Sequence, residues 1–182
     1  VYRSSGLMER IELIEDYPSK IAQMLLNNEI DVGLVPVAVI PKMKEHYFVT
    51  DYCIGTEGEV ASVCLFSEVP IEKIENILLD YQSRTSVNLA KVLLKQHWKL
   101  NVHLENAKED FRSQIKGTTA AVVIGDRALE QRKISPYVYD LGLAWKALTG
   151  LPFMFAAWVA NKRLDEDFTD AFNRANAFGV HH

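Results

Sequence analysis

Apolar positions along the chain fall into short unbroken runs separated by stretches of helical period, and that alternation sets the fold class. Residues 76–80, Asn-Ile-Leu-Leu-Asp, read as a short buried strand followed by a tight turn. From residue 83 the apolar set Val87, Ala90, Leu93, Leu94 and His97/Trp98 keeps to one helical face, and Ser83, Thr85 and Ser86 crowd the helix start, where hydroxyls cap unpaired N–H groups. Upstream, residues 10–15 alternate, with Ile11 and Leu13 inward, and predict a strand. Pro18 opens a helix that buries Ile21, Met24 and Leu25 and closes at Asn27-Asn28. A strand over 31–36, a proline-broken helix over 36–44 and a strand over 47–53 follow. This β-α-β-α-β order predicts a parallel sheet with helical crossovers. The chain opens on residues 1–6 as if inside a connection, so a first strand is expected to be missing.

Past a polar, glycine-containing joint at 55–59, the pattern predicts a strand over 60–66 and a turn of helix over 70–74. After the 76–80 strand and its helix come a strand over 101–104, a helix over 107–115 that starts on acids (Glu109, Asp110), and a β-branched strand over 118–124. Asp126 is placed to cap a helical turn over 127–132. An extended stretch at 137–139, a helix over 143–148 stopped by Gly150, a return strand over 151–160 and a helix over 165–178 complete the order. The reading is α/β with two lobes and an inter-lobe cleft: residues 1–60 with 152–182 form one lobe, and 61–151 the other. Ligands of such sheets sit beyond the carboxyl ends of strands. Here three strand ends carry polar residues: Val35-Pro36, Asp80 to Ser86, and Gly125-Asp126.

Composition narrows the classes. With 48% hydrophobic residues the chain can bury an ordinary core, and a net charge of −4 without a basic stripe argues against nucleic acid. The longest apolar run, 151–160, contains Pro152 and ends at Asn161-Lys162-Arg163, a buried strand and not a membrane span. Cys53 and Cys64 show no CxxC and no histidine pair, which favours structural thiols. Neither a P-loop nor a GxGxxG is present, so no nucleotide cofactor is indicated.

The candidate chemistry is spare. The helix start at Ser83–Ser86, with Arg84 in the same turn, is either a plain capped surface helix or an anion site built on free N–H groups. Ser62, between Val60 and Val63, is a core hydroxyl or a cleft donor, and no G-x-S-x-G elbow surrounds it. Asp126 reads as a cap before it reads as an acid–base group. Glu57 and Glu59 read as solvated charges. His46, His97 and His103 have no serine, cysteine or second histidine at catalytic spacing. Trp145, Trp158, Phe153 and Phe155 read as core aromatics.

Several segments, taken together, carry a resemblance. These are Asp31-Val32-Gly33-Leu34-Val35-Pro36-Val37, Asp51-Tyr52-Cys53-Ile54-Gly55, Ser62 to Ser67, and Leu79-Asp80-Tyr81-Gln82-Ser83-Arg84-Thr85-Ser86. Ile124-Gly125-Asp126-Arg127-Ala128-Leu129, Tyr139-Asp140-Leu141-Gly142, and Trp145 with Thr149-Gly150-Leu151-Pro152-Phe153 follow in order. Over nearly its whole length the chain resembles the chorismate dehydratase family of the futalosine route to menaquinone. The resemblance implies a type II periplasmic-binding-protein-like fold in a cytoplasmic enzyme. It also implies dehydration of chorismate to 3-[(1-carboxyvinyl)oxy]benzoate without metal or organic cofactor. Ser62 matches a serine expected at the site, and Ser83, Arg84, Thr85, Ser86, Gly125 and Asp126 become expected substrate contacts. A family strand and an asparagine-bearing loop that would precede Val1 are not in this sequence. The alternatives are the sister enzyme that makes 1,4-dihydroxy-6-naphthoate, or a non-catalytic protein that binds a small anion. The partner expected is a small-molecule substrate, with neither nucleic acid nor membrane.

Overall fold

A computed structural model describes residues 7–108 and 110–181. The opening stretch 1–6 and the acidic residue Glu109 therefore lie outside the described residues. The chain divides into two compact units, one of residues 1–54 with 154–182 and one of residues 55–153.

The first unit is built on a three-stranded sheet. Its strands are β1 (Val32–Pro36), β2 (Tyr47–Thr56) and β8 (Phe153–Ala160), in the order β1-β8-β2. β1 pairs with β8 antiparallel, with Leu34 opposite Trp158, and this corrects the parallel sheet that the order of elements predicts. The partner of β1 is the strand that returns at the far end of the sequence, a long-range pairing that local alternation does not report. Helix α1 (Pro18–Leu26) starts on Pro18, where a missing N–H costs nothing, and buries Ala22 and Leu25 against Val35, Val39, Ala157 and Val159. Helix α5 (Glu166–His181) lays Phe172 and Ala175 on Leu7, Val49 and Ala160. Residues 10–15 are not a strand: a 3-10 turn over Leu7–Glu9 leads into irregular chain in which Leu13 and Ile14 are exposed. Alternation makes a strand only where the segment hydrogen-bonds to a sheet, and residues 10–15 are not among the three strands of this one, although Ile11 packs against its core.

The second unit holds a five-stranded sheet. Its members are β3 (Val63–Ser67), β4 (Asn76–Leu79), β5 (His103–Asn106), β6 (Thr119–Ile124) and β7 (Tyr137–Asp140), in the order β5-β4-β6-β3-β7. β4 runs parallel to β5 and β6, while β3 is antiparallel to β6 and β7. All five residues of β3 are buried, as a central strand covered on both faces must be. Cys64, Phe66, Leu78, Ala121 and Val123 form one face and pack with Phe111, Ile115 and Ala128. Leu65, Ile77, Leu79 and Val122 alternate to the other face and are equally buried. Helix α2 (Arg84–Gln96) and helix α4 (Leu141–Thr149) pack on each other and on the central strands, and the short α3 (Asp126–Gln131) contributes Ala128 to the Phe111 face.

The helix expected over 107–115 is replaced, among the described residues, by a 3-10 turn over Arg112–Gln114. Asp110 offers the backbone a local alternative: its carboxylate accepts from the Arg112 N–H at 3.2 Å and from the Arg112 guanidinium at 2.7–3.1 Å. The Arg112 guanidinium holds the Asp110 carboxyl down at about 2. No described helix is long and apolar enough to cross a membrane.

Candidate active site

Strand directions in the second unit decide what can meet. β4 and β6 are parallel, so Asp80, after β4, and Gly125, after β6, leave the sheet at the same end. β3 is antiparallel to β6 with Val63 opposite Ile124, so Ser62, just before β3, sits at that end too. The Gly125 N–H donates to the Ser62 carbonyl at 2.8 Å. β7 ends there as well, with Asp140 opposite Cys64. The sheet thus gathers Ser62, the Asp80–Ser86 turn, Gly125-Asp126 and Asp140 along one edge, with the N-termini of α2, α3 and α4 beside them.

At α2 the cap is made as the hydroxyls foretell. Ser83 Oγ accepts from the Ser86 N–H at 3.1 Å and donates to Ser86 Oγ at 2.9 Å. Arg84 is exposed at the first helical position and forms no ion pair with a described residue. Thr85 is 4% exposed, and its Oγ1 is buried with no hydrogen-bond partner among the described residues. A buried hydroxyl without a partner costs about 1–3 kcal/mol, so it marks a place where an acceptor or donor is wanted.

Asp80 does not face outward. Its fully buried carboxylate accepts from the Gln82 N–H at 3.0 Å and the Ile124 N–H at 3.1 Å, and it receives Arg127 Nη2 at 2.9 and 2.7 Å on its two oxygens. The guanidinium lies over the rings of Tyr81 and Phe111, at 5.4 and 5.9 Å from their centroids. One side chain therefore ties the turn before α2 to the end of β6 and the start of α3.

Asp126 is not a cap. Gly125 holds the cap position of α3 at φ 66°, no side chain satisfies the first turn, and Asp126 is exposed within it. Glycine takes the positive φ that an aspartate would enter at a cost, which displaces Asp126 by one position.

Ser62 lies ahead of β3 and not within it. Its N–H and its Oγ both turn back to the Val60 carbonyl, the latter at 3.2 Å, a three-residue turn centred on Ala61 at φ 53°. A left-handed alanine costs about 1–2 kcal/mol. The Asp140 carboxylate accepts from the Ala61 N–H at 2.8 Å and from the Val60 N–H at 3.1 and 3.2 Å, and caps α4 through the N–H groups of Gly142 and Leu143 at 2.9 and 3.1 Å. Arg132 Nε donates to the Ala61 carbonyl at 3.1 Å, and its Nη2 reaches Glu59 at 2.8 Å and Asp140 at 3.5 Å.

Residues 2–182 match the family described as menaquinone biosynthesis. The chain belongs to that family. It is 26% identical over 169 residues to a chorismate dehydratase of Thermus thermophilus, covering 83% of this chain and 62% of that protein. It is 30% identical over 153 residues to a chorismate dehydratase of Campylobacter jejuni, covering 84% of this chain and 55% of that one. The chain thus spans roughly three-fifths of these relatives. A crystal structure of an Archaeoglobus fulgidus protein aligns with TM-score 0.65 at 15% identity, over 93% of this chain and 65% of its own. An ABC transporter of Parabacteroides distasonis aligns with TM-score 0.56 at 16% identity, over 94% and 65%. These two carry the fold alone, a binding-protein-like α/β arrangement of two units, and that is the class the sequence predicts.

In this member of the menaquinone biosynthesis family, three functional-looking groups escape sequence reasoning: Asp80 as an inward tie, and Arg132 and Asp140 around Ala61. The only sequence signal of Asp80 and Asp140 is an acid at the end of an apolar strand, which also fits a cap, and Arg132, just past α3, carries none. Trp145 behaves as a structural aromatic, its Nε1 donating to the Pro152 carbonyl at 3.2 Å and its ring edge-on to Phe153. Among the described residues no cluster of three or more His, Cys, Asp or Glu could hold a metal ion.

Both cysteines are free, Cys53 exposed and Cys64 buried. Burial, and then the Asp140 carboxylate, push the Cys64 thiol up to about 12. A thiol reagent at pH 8 is therefore expected to label Cys53 rapidly and Cys64 only after unfolding. Two fast-reacting thiols in the folded protein would contradict this placement.

Proposed function

We propose that the protein bearing this chain dehydrates chorismate to 3-[(1-carboxyvinyl)oxy]benzoate. The observation that carries the reading is the N-terminus of α2, with exposed Arg84 and a buried Thr85 hydroxyl that has no hydrogen-bond partner among the described residues, at the same sheet end as Ser62. Chorismate has two carboxylates, and such a helix start suits one of them, with Arg84 as a charged partner. The names of the Thermus and Campylobacter relatives support the substrate.

The chemistry asks little of the protein. A proton leaves the ring carbon that bears the enolpyruvyl ether, and the bond from the neighbouring carbon to its hydroxyl breaks. The electron pair released completes the aromatic ring, and hydroxide and proton leave as water. The balance needs no oxidant or reductant. Aromatisation supplies the driving force, so the protein's work is to orient the ring and stabilise the departing hydroxyl. In this reading the Ser62 hydroxyl swings from the Val60 carbonyl, to which it donates at 3.2 Å, and donates to the departing hydroxyl. Ser83, Arg84, Thr85 and Ser86 hold a carboxylate, while Gly125 and Asp126 contact the ring substituents. A substrate carboxylate is itself a candidate base. The two compact units act as the two lobes, in a cytoplasmic enzyme.

The test is to incubate the full-length protein with chorismate and look by chromatography and mass spectrometry for a product lighter by one water. Formation that depends on the protein and falls at least 100-fold in Ser62→Ala is expected. Chorismate recovered unchanged from folded protein would sink the dehydratase reading.

A further inference from the structure

We propose that Asp140 and Arg132 are positioning residues for Ser62, holding the strained turn at Ala61 from which it is presented. The proposal rests on reading Ser62 as a substrate contact.

Among the described residues three non-glycine positions have positive φ: Asn28, Ala61 and Lys99. Asn28 and Lys99 follow the ends of α1 and α2, where a left-handed residue is an ordinary way out of a helix. Ala61 follows no helix. It lies in the connection from β2 to β3, one residue before Ser62, at the centre of a three-residue turn closed by the Ser62 N–H on the Val60 carbonyl. Turns of this kind with positive φ are rare and strained, and they persist where the surroundings over-determine them.

The surroundings here do so from both sides. Asp140 takes the N–H of Ala61 at 2.8 Å, and Arg132 Nε takes its carbonyl at 3.1 Å. The side chain of Asp140 is 4% exposed, and Arg132 touches it at 3.5 Å, so each clamp steadies the other. Capping α4 alone would need one acceptor for Gly142 and Leu143, which a serine supplies. The two further N–H groups of Val60 and Ala61 are what the carboxylate adds. The Ser62 carbonyl receives the Gly125 N–H at 2.8 Å, so the turn is registered against the second expected contact.

The experiment uses full-length protein and the variants Arg132→Lys and Asp140→Ser. Lysine keeps the charge at a partly exposed position but lacks the Nε–H that reaches Ala61, and serine keeps the cap but not the clamp. Two readouts are taken: steady-state kinetics with chorismate, and the 13C shifts of labelled Ala61 and Ser62, which report backbone conformation. Both variants are expected to keep native helix content by circular dichroism and to move the two 13C signals. They should lower kcat about 100-fold with KM within about twofold, the mark of a misaimed group and not of lost binding. Folded variants with unmoved shifts, or with kcat within twofold of the parent, overturn the proposal. If the parent itself leaves chorismate unchanged, the dehydratase reading falls. The clamp is then decided by the shifts alone, which move if it holds the turn and stay if it does not.

Discussion

Asp80→Ala is expected to destabilise the protein by about 3–5 kcal/mol, the range for breaking a buried ion pair from one side. The loss has three parts, all anchored at one carboxylate. Arg127 keeps its charge at a site where Nη2 had both Asp80 oxygens and Nη1 is already buried with no hydrogen-bond partner among the described residues. The N–H groups of Gln82 and Ile124 lose their acceptor. The end of β4 is then no longer tied to the end of β6. Asp80→Asn keeps one acceptor oxygen and should fall between parent and alanine. The double variant Asp80→Leu with Arg127→Met removes both charges and should lose less than Asp80→Ala alone, because no ion is left buried. Urea unfolding of the four proteins measures this. A loss under about 1 kcal/mol for Asp80→Ala would mean that solvent already reaches the pair.

What the sequence discloses and what it hides divide by range. The 76–80 strand, the Ser83 cap, the β-branched 118–124 strand and the stop at Gly150 are written in consecutive residues, because burial on both faces, hydroxyl capping and a left-handed glycine are local requirements. Residues 10–15 have the period of a strand but do not join the sheet, and 107–115 have the composition of a helix that Asp110 diverts. The antiparallel β1–β8 pair joins residues more than 100 apart, which no local period encodes. The placement of the candidate residues divides in the same way. Ser62, Ser83 to Ser86 and Gly125-Asp126 lie at one end of the sheet because β4 and β6 end there and β3 begins there, and strand direction is topology. Asp80 and Asp140 differ from ordinary strand-end acids only in what folds over them. Both turned out to be buried hubs for backbone N–H groups, a role set by partners 40 to 80 positions away.

Gly142→Ala sets two estimates against each other. By helix propensity, alanine in α4 should gain as much as about 1 kcal/mol over glycine. By packing it should lose heavily. A Cβ on Gly142 would stand 2.3 Å from the Gly58 carbonyl oxygen, 2.9 Å from Thr56 Cγ2 and 3.2 Å from Asp140 Oδ1. The nearest of these is backbone, and it cannot swing aside as the tip of a side chain would. The Gly58 carbonyl is held by Thr56 Oγ1 at 3.0 Å, and the same hydroxyl accepts from the Gly58 N–H at 3.1 Å. Overpacking in such a place costs about 1–3 kcal/mol and at times more, so the clash outweighs the propensity and a net loss of about 2 kcal/mol is expected. The consequence reaches further than stability. If Gly58 yields, the connection that leads through Glu59 and Val60 to Ala61 moves with it, away from the Asp140 carboxylate that both Gly142 and Ala61 share. Denaturant unfolding of Gly142→Ala reads the first effect, and the 13C shifts of Ala61 read the second. A stabilised protein with unmoved shifts would show that α4 can draw back from Gly58 at no cost, and that the close approach of the two glycines is dispensable.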